Sequence, residues 1–457
     1  MIVKILGSAS SDFHGVQYND KKVEKGKGEL MLMKNFPSFI NEKSKPEDVR
    51  NYLKSISRNE NVKKPQFHAV ISTKFQEHSK DEITRIAEDF MNGMEYEKQP
   101  FIVVFHNDTE NNHVHIVSTR VNKQTGRKIN DSYEKLKAQK VLAETLEKLY
   151  GIDEDAKLNN LLNYSFGSLN QLEILLNRSG FKISRDKNNE HVLNILKNGV
   201  VQRKLSGDSL VFNDKKNIKR ISQLRAILAK YSRIHSNKVF KVEDFRKYES
   251  LLPENKRRSK EDIIPVIEFD SELQKKLRDV FGLDIVFHHK DNNQPFGYTV
   301  IDHKDGAVYK GSDIIKMKEL FEFTSDKIDK RLFESIKDFN IPNYEIKKLM
   351  LDFLQAKYPE NNMKDFMLFS NKKLKNKEVF MRIRNDVKDY IKTQNRADIG
   401  IVTNRDGKYY AIHSRLHYIG ELEAIIGENL YQKFLNTQVT DLKEDQSKTK
   451  NVCTSSN

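Results

Sequence analysis

The segment Phe101 to Val117, FIVVFHNDTENNHVHIV, leaves the chain few folds to choose from. Two apolar runs of strand character flank a polar stretch, and three histidines, His106, His113 and His115, stand at its edges. Side chains alternate faces along a strand, so His113 and His115, two apart, project to the same side while Val114 points into a core. The run His-Asn-Asp-Thr-Glu-Asn-Asn-His is polar enough to turn the chain back antiparallel, which brings His106 beside the pair. Three nitrogen ligands with coordination positions left open form a catalytic arrangement, whereas a structural site closes with four. The expectation is a metal centre for phosphate chemistry, built on an antiparallel hairpin. Imidazole alone does not choose the ion, and zinc, manganese, nickel and copper all accept it.

His106, Asp108, Asn112, His113 and His115 resemble the three-histidine motif of conjugative relaxases, the mobilisation nucleases of the HUH endonuclease superfamily. The resemblance runs from the N-terminus to about Gly151, through QFHAVIST, the histidine strands, RVNKQTGRKINDS and a helix ending KLYG. It implies a divalent cation, Mg2+ or Mn2+ in the cell, with Zn2+ or Ni2+ able to take the same ligands. It further implies a tyrosine that attacks a DNA phosphate and becomes joined to the 5' end. Single-stranded transfer-origin DNA, accessory mobilisation proteins and a type IV secretion coupling protein are the partners it implies. The setting is the bacterial cytoplasm, from which the DNA-bound protein passes to a recipient. As an alternative, a non-catalytic DNA-binding protein with a structural metal requires a fourth ligand.

In relaxases the nucleophile lies near the N-terminus, and Tyr18 is the candidate here. It stands in GVQYNDKKVEKGKGE, a short helical stretch after the first strand, followed by Lys21, Lys22 and Lys25, which suit a phosphodiester. Tyr133, in INDSYEKL, is the rival and points toward a rolling-circle replication initiator, whose tyrosine follows the histidine strands. Phenol ionises near pH 10, so either tyrosine needs a cation's field or a base. Asp108 either orients a ligand imidazole or caps the loop. Ser79-Lys80-Asp81-Glu82 fits a capping box, leaving Glu82 as a cap or a catalytic base. His68, in a strand from Phe67 to Ser72, reaches the site if its face matches and is otherwise a packed strand residue. Asn112 and the basic residues Arg120, Lys123, Arg127 and Lys128 are candidates for holding the DNA backbone.

The excess of 80 Lys and Arg over 65 Asp and Glu, a net +15, favours a polyanionic partner. With no tryptophan, base stacking falls to Tyr, Phe or Arg. The single cysteine, Cys453, forbids an intrachain disulfide and suits a reducing compartment. No run of about 20 apolar residues and no signal peptide are evident, so direct membrane insertion is not expected.

The fold expected is α+β: an N-terminal antiparallel sheet of HUH type backed by helices, then helical linkers and small α/β repeat units. Strands are expected at 1–6, 67–73, 101–106 and 113–121, and helices near 46–58, 80–92 and 132–149. Residues 1–151 form the nuclease domain in this reading. Weak repeats at 152–214, 261–326 and 378–436 each read as a helix followed by a β-meander with an Asn-Gly or Asp-Gly turn. Basic helical linkers at 215–260 and 327–377 separate them, and 437–457 reads as a disordered tail. His288-His289 has no evident third ligand.

Overall fold

The computed structural model describes residues 1–457 except 8–10, 152, 187, 198, 214–216, 247–264, 292, 360–373 and 438–457; the expected tail and Cys453 lie outside the described residues. The chain divides into two compact units, Met1–Asn213 and Asp214–Asn457.

The first unit is built on five strands, β1 (Ile2–Ile5), β2 (Gly28–Lys34), β3 (Gln66–Ser72), β4 (Phe101–His106) and β5 (His113–Thr119), in the order β1-β3-β5-β4-β2. Every pairing is antiparallel. All of β4 is buried, which its unbroken apolar run FIVVF anticipates for a strand covered on both faces. Alternation then divides the neighbours. Phe67, Ala69, Ile71, Val103, Phe105, Val114 and Ile116 face a core closed by helices α3 (Lys80–Gly93) and α4 (Glu134–Tyr150). Ile102, Val104 and Val117 face the other way, under α1 (His14–Glu24) and α2 (Pro46–Ile56). Helices thus cover both faces, and the even-numbered side of β4 and the odd-numbered side of β5 share the α1 face.

The helix ends follow local chemistry. Proline at the first position and Glu47 and Asp48 in the first turn open α2. Ser79 accepts from the Glu82 backbone N–H, and the Glu82 carboxylate accepts from the Ser79 N–H, so α3 opens on a full capping box. Gly151, at φ 62°, closes α4 in the left-handed conformation glycine tolerates.

The rest of the chain forms helices and small sheets. In the first unit α5 (Leu169–Arg178) precedes the meander β6 (Phe181–Arg185), β7 (Val192–Lys197) and β8 (Val200–Ser206). The second unit has two more: helix Glu272–Phe281 with β11–β13 (Leu283–His288, Gly297–Asp302, Ala307–Lys310), and helix Lys377–Thr393 with β15–β17 (Ile399–Thr403, Tyr409–His413, Tyr418–Glu421). A further sheet differs from expectation. β9 (Lys238–Asp244), inside the stretch read as a helical linker, pairs antiparallel with β10 (Val266–Ser271) and parallel with β14 (Glu322–Asp329). Its partner β14 lies more than 80 residues away, beyond the reach of local pattern reading. The strand β2 was also unforeseen: GELMLMK follows a Gly-Lys-Gly turn and forms by pairing with β4.

Candidate metal centre

His106 ends β4 and His113 opens β5, and the two are directly paired across the ladder. His115 follows on the same face opposite Val104. One ring nitrogen from each of the three lies within 4.8 Å of the other two. The His106 and His115 rings stack at 4.2 Å between centroids, and His113 stands 5.2 Å from His106 and 5.4 Å from His115. Gly28 pairs with His106 from the other side, where even a Cβ would come within 3.3 Å of the His106 ring.

The surroundings test whether a cation fits. His106 is wholly buried, yet both its ring nitrogens lack a hydrogen-bond partner, an arrangement that buried polar groups rarely tolerate. Burial first, and then His113, hold the His106 imidazole down to about 4; burial and then His106 push His115 lower still. His106 and His115 therefore offer neutral lone pairs at neutral pH, and with His113 beside them the donor set fits a divalent ion. Because unfolding returns His106 and His68 to an ordinary value near 6.5 from about 4, the unfolded chain binds more protons between those values. The stability these rings contribute is complete above pH 6.5 and lost as pH falls toward 4. Thermal melts of the metal-free protein are expected to show a midpoint that drops across this window; a flat profile between pH 7 and 5 contradicts this burial.

Tyr18 lies on α1 with its ring centroid 5.6 Å from His115 and 5.8 Å from His106, and is 46% exposed. Lys22, one turn further, holds its ammonium 5.5 Å from the Tyr18 ring centre and donates to Asp108 at 2.5 Å. That bond raises the Lys22 pKa; burial opposes ionisation of Asp108, but Lys22 outweighs it and keeps the carboxyl below its ordinary range. Asp108 therefore makes its hydrogen bond to Lys22, where an imidazole or a loop N–H was expected. His68, whose face matches, instead bonds His115, with Nε2 2.9 Å from Nδ1.

Other expected site residues are placed elsewhere. Glu82 is exposed and occupied by its cap, which lowers its pKa through the Ser79 backbone bond. Asn112 is buried, and its side-chain amide donates to the His78 carbonyl, so it locks the loop rather than facing DNA. Arg120 is also buried: its guanidinium donates to both oxygens of Glu134, at 2.8 and 2.6 Å, and to the Gln66 carbonyl. Backbone-phosphate contact is not open to it, because its guanidinium is covered and committed to Glu134 and Gln66. Replacing it by alanine leaves the largely covered Glu134 carboxylate without its partner, and chemical denaturation is expected to register a loss of about 3–5 kcal/mol. An Arg120→Ala protein of unchanged stability refutes this assignment. Lys123 is half-buried and donates to the Asn35 carbonyl at 3.0 Å, and Lys128 pairs with Asp131 at 2.7 Å. Lys21, Lys25 and Arg127 are exposed.

Tyr133 is 82% exposed at the entry to α4, beside the Arg120–Glu134 pair. Arg120 is the fifth residue beyond His115, roughly 16 Å along the strand, and α4 packs on the opposite face from the imidazoles. Asn19, which sequence reasoning passed over, is buried on α1 with neither amide atom partnered. Its position one turn after Gly15 is the signal that could have flagged it.

One further group, Asp386, Asp398 and His413, has donor atoms within 4.8 Å. Arg396 and Arg415 pair with both carboxylates, and Arg382 adds a third guanidinium, so the cluster is already neutralised without a cation. His288 and His289 bond Thr299 and the Asp291 carbonyl and join no such group among the described residues.

The antiparallel sheet carries three convergent imidazoles with a tyrosine and a lysine beside them, a donor set and a hydroxyl suited to phosphodiester chemistry. Residues 18–152 match the family described as Relaxase: MobA/VirD2-like, nuclease domain, so this part of the chain is similar to the relaxase and mobilisation nucleases. The matched span contains Tyr18 and all three histidines. No curated protein and no solved structure matches the chain. Among the described residues no helix is long and apolar enough to cross a membrane.

Proposed function

We propose that the chain nicks one strand of DNA at a transfer origin by transesterification to Tyr18, and carries the attached strand in conjugative mobilisation. The observation that supports this most is the Tyr18 ring, 5.6–5.8 Å from two of the three imidazoles and partly open to solvent. His106, His113 and His115 would hold a divalent ion, Mg2+ or Mn2+, which when bound supplies positive charge against the non-bridging phosphate oxygens. Tyr18 Oη attacks phosphorus, the bond to the 3' oxygen breaks, and a phosphotyrosine remains. That ester keeps the energy of the phosphodiester, so attack by a 3' hydroxyl rejoins the strand without a nucleotide cofactor. Lys22, 5.5 Å from the Tyr18 ring centre, would offset phenolate charge, and Lys21, Lys25, Arg127 and Lys128 are the candidates for holding the DNA backbone.

Residues 1–151 are the catalytic domain in this reading. The helix-and-meander units at 152–214, 261–326 and 378–436 grip DNA beyond the nick or present the protein to accessory proteins and a secretion coupling protein in the bacterial cytoplasm, with 215–260 and 327–377 between them. Incubation with single-stranded origin DNA and Mn2+, followed by a denaturing gel and peptide mass, tests the proposal. A covalent adduct is expected; DNA binding without any adduct sinks it.

A further inference from the structure

Hydrogen bonds at His113 and His115 decide which nitrogen each of these two turns to the centre. His113 Nδ1 lies 3.0 Å from the Asn111 carbonyl. A carbonyl can only accept, so the proton sits on Nδ1 and Nε2 keeps its lone pair. His115 has no carbonyl in that role: its Nδ1 faces His68 Nε2 at 2.9 Å, with both rings buried. For His115 to offer Nε2, its Nδ1 must donate, which makes His68 Nε2 the acceptor and puts the His68 proton on Nδ1. That Nδ1 is buried without a hydrogen-bond partner.

The first turn of α1 lies against it. A Cβ built on Gly15 would fall 2.9 Å from His68 Nδ1, 3.1 Å from Gln66 Oε1 and 3.2 Å from Val117 Cγ2, so only a glycine lets the helix settle this low. The Gly15 N–H then donates to Gln66 Oε1 at 3.0 Å. Gln66 and His68, two apart on β3, share a face. One strand thus receives the helix that carries Tyr18 and the ring that orients His115.

We propose that His68 is a positioning residue that holds His115 in its metal-binding tautomer, and that Gly15 seats the Tyr18 helix against it, so that one contact governs both. The inference rests on the metal centre proposed above. A neighbouring imidazole here does what the Asn111 carbonyl does for His113, and partners of this kind carry about 10–100-fold in metal affinity.

The experiment is Mn2+ titration of the full chain by calorimetry, with the visible spectrum of the Co2+-loaded protein as a second readout and a thermal melt to verify folding. His68→Leu, which fills the space but cannot accept, is expected to weaken Mn2+ binding about 10–100-fold and to change the Co2+ spectrum. His68→Gln, whose Oε1 can take the Nε2 position, is expected to recover most of the affinity. Gly15→Ala, which touches no ligand, is expected to weaken binding through the displaced His68. Folded His68→Leu with wild-type affinity and spectrum overturns the role of His68, and Gly15→Ala with both unchanged overturns the coupling. If the wild-type chain itself takes up no Mn2+ or Co2+, the metal centre fails, and this inference with it.

Discussion

Tyr18→Phe is expected to abolish the covalent protein–DNA adduct and to reduce strand cleavage by roughly three orders of magnitude or more, the scale seen when a nucleophile is removed. The substitution removes one oxygen and leaves the ring, so its contacts at 5.6 and 5.8 Å with His115 and His106 remain. Binding of single-stranded origin DNA, measured by anisotropy, should change little, because Lys21, Lys25 and Arg127 stay exposed. Tyr133→Phe serves as the matched control. That side chain sits at the mouth of α4, on the far side of the sheet, and its loss should leave the adduct intact. Should Tyr133→Phe remove the adduct and Tyr18→Phe spare it, the chemistry is that of a replication initiator and the present reading is wrong.

The second large effect is expected from the imidazoles. His106→Ala should depress cleavage at least about 100-fold, the cost of deleting a group that supports charge development at the reacting centre. Excess Mn2+ should not restore it. EDTA should stop the wild-type protein equally, and added Mn2+ should revive it. His106 is the most telling of the three, since it is wholly buried and neither nitrogen has another partner to satisfy it. Cleavage that persists in EDTA, or in His106→Ala, removes any catalytic part for the trio.

The site was legible where its logic is local. A period of two placed His113 and His115 on one face with Val114 in the core, and the polar loop returned His106 to them. The capping box at Ser79, the start of α2 at Pro46 and the boundaries of β4 follow from residues within a few positions of one another, and β3 lies one residue from where it was expected. What escaped notice depends on approach from afar. Asp108 is drawn to Lys22, 86 positions earlier, because α1 lies over the imidazole face. Arg120 and Asn112 look like free polar groups in the sequence, and only the paths of α4 and the 73–78 turn bury them. His68 needed a register: paired with Val117, it falls diagonally beside His115. Pattern gives a face; neighbours across a sheet come from pairing.

The strand β5 carries two texts in alternate letters. Read at His113, His115 and Val117 it spells the metal side; read at Val114 and Ile116 it spells the core. A single-residue deletion between Asn112 and His115 would therefore exchange the two messages, burying imidazole in the α3–α4 core and offering isoleucine or valine to the phosphate. Composition would barely change, yet both stability and chemistry would be lost at once. Such a strand tolerates substitution far better than insertion or deletion, because only a change that keeps the count of residues keeps each side chain on its own face.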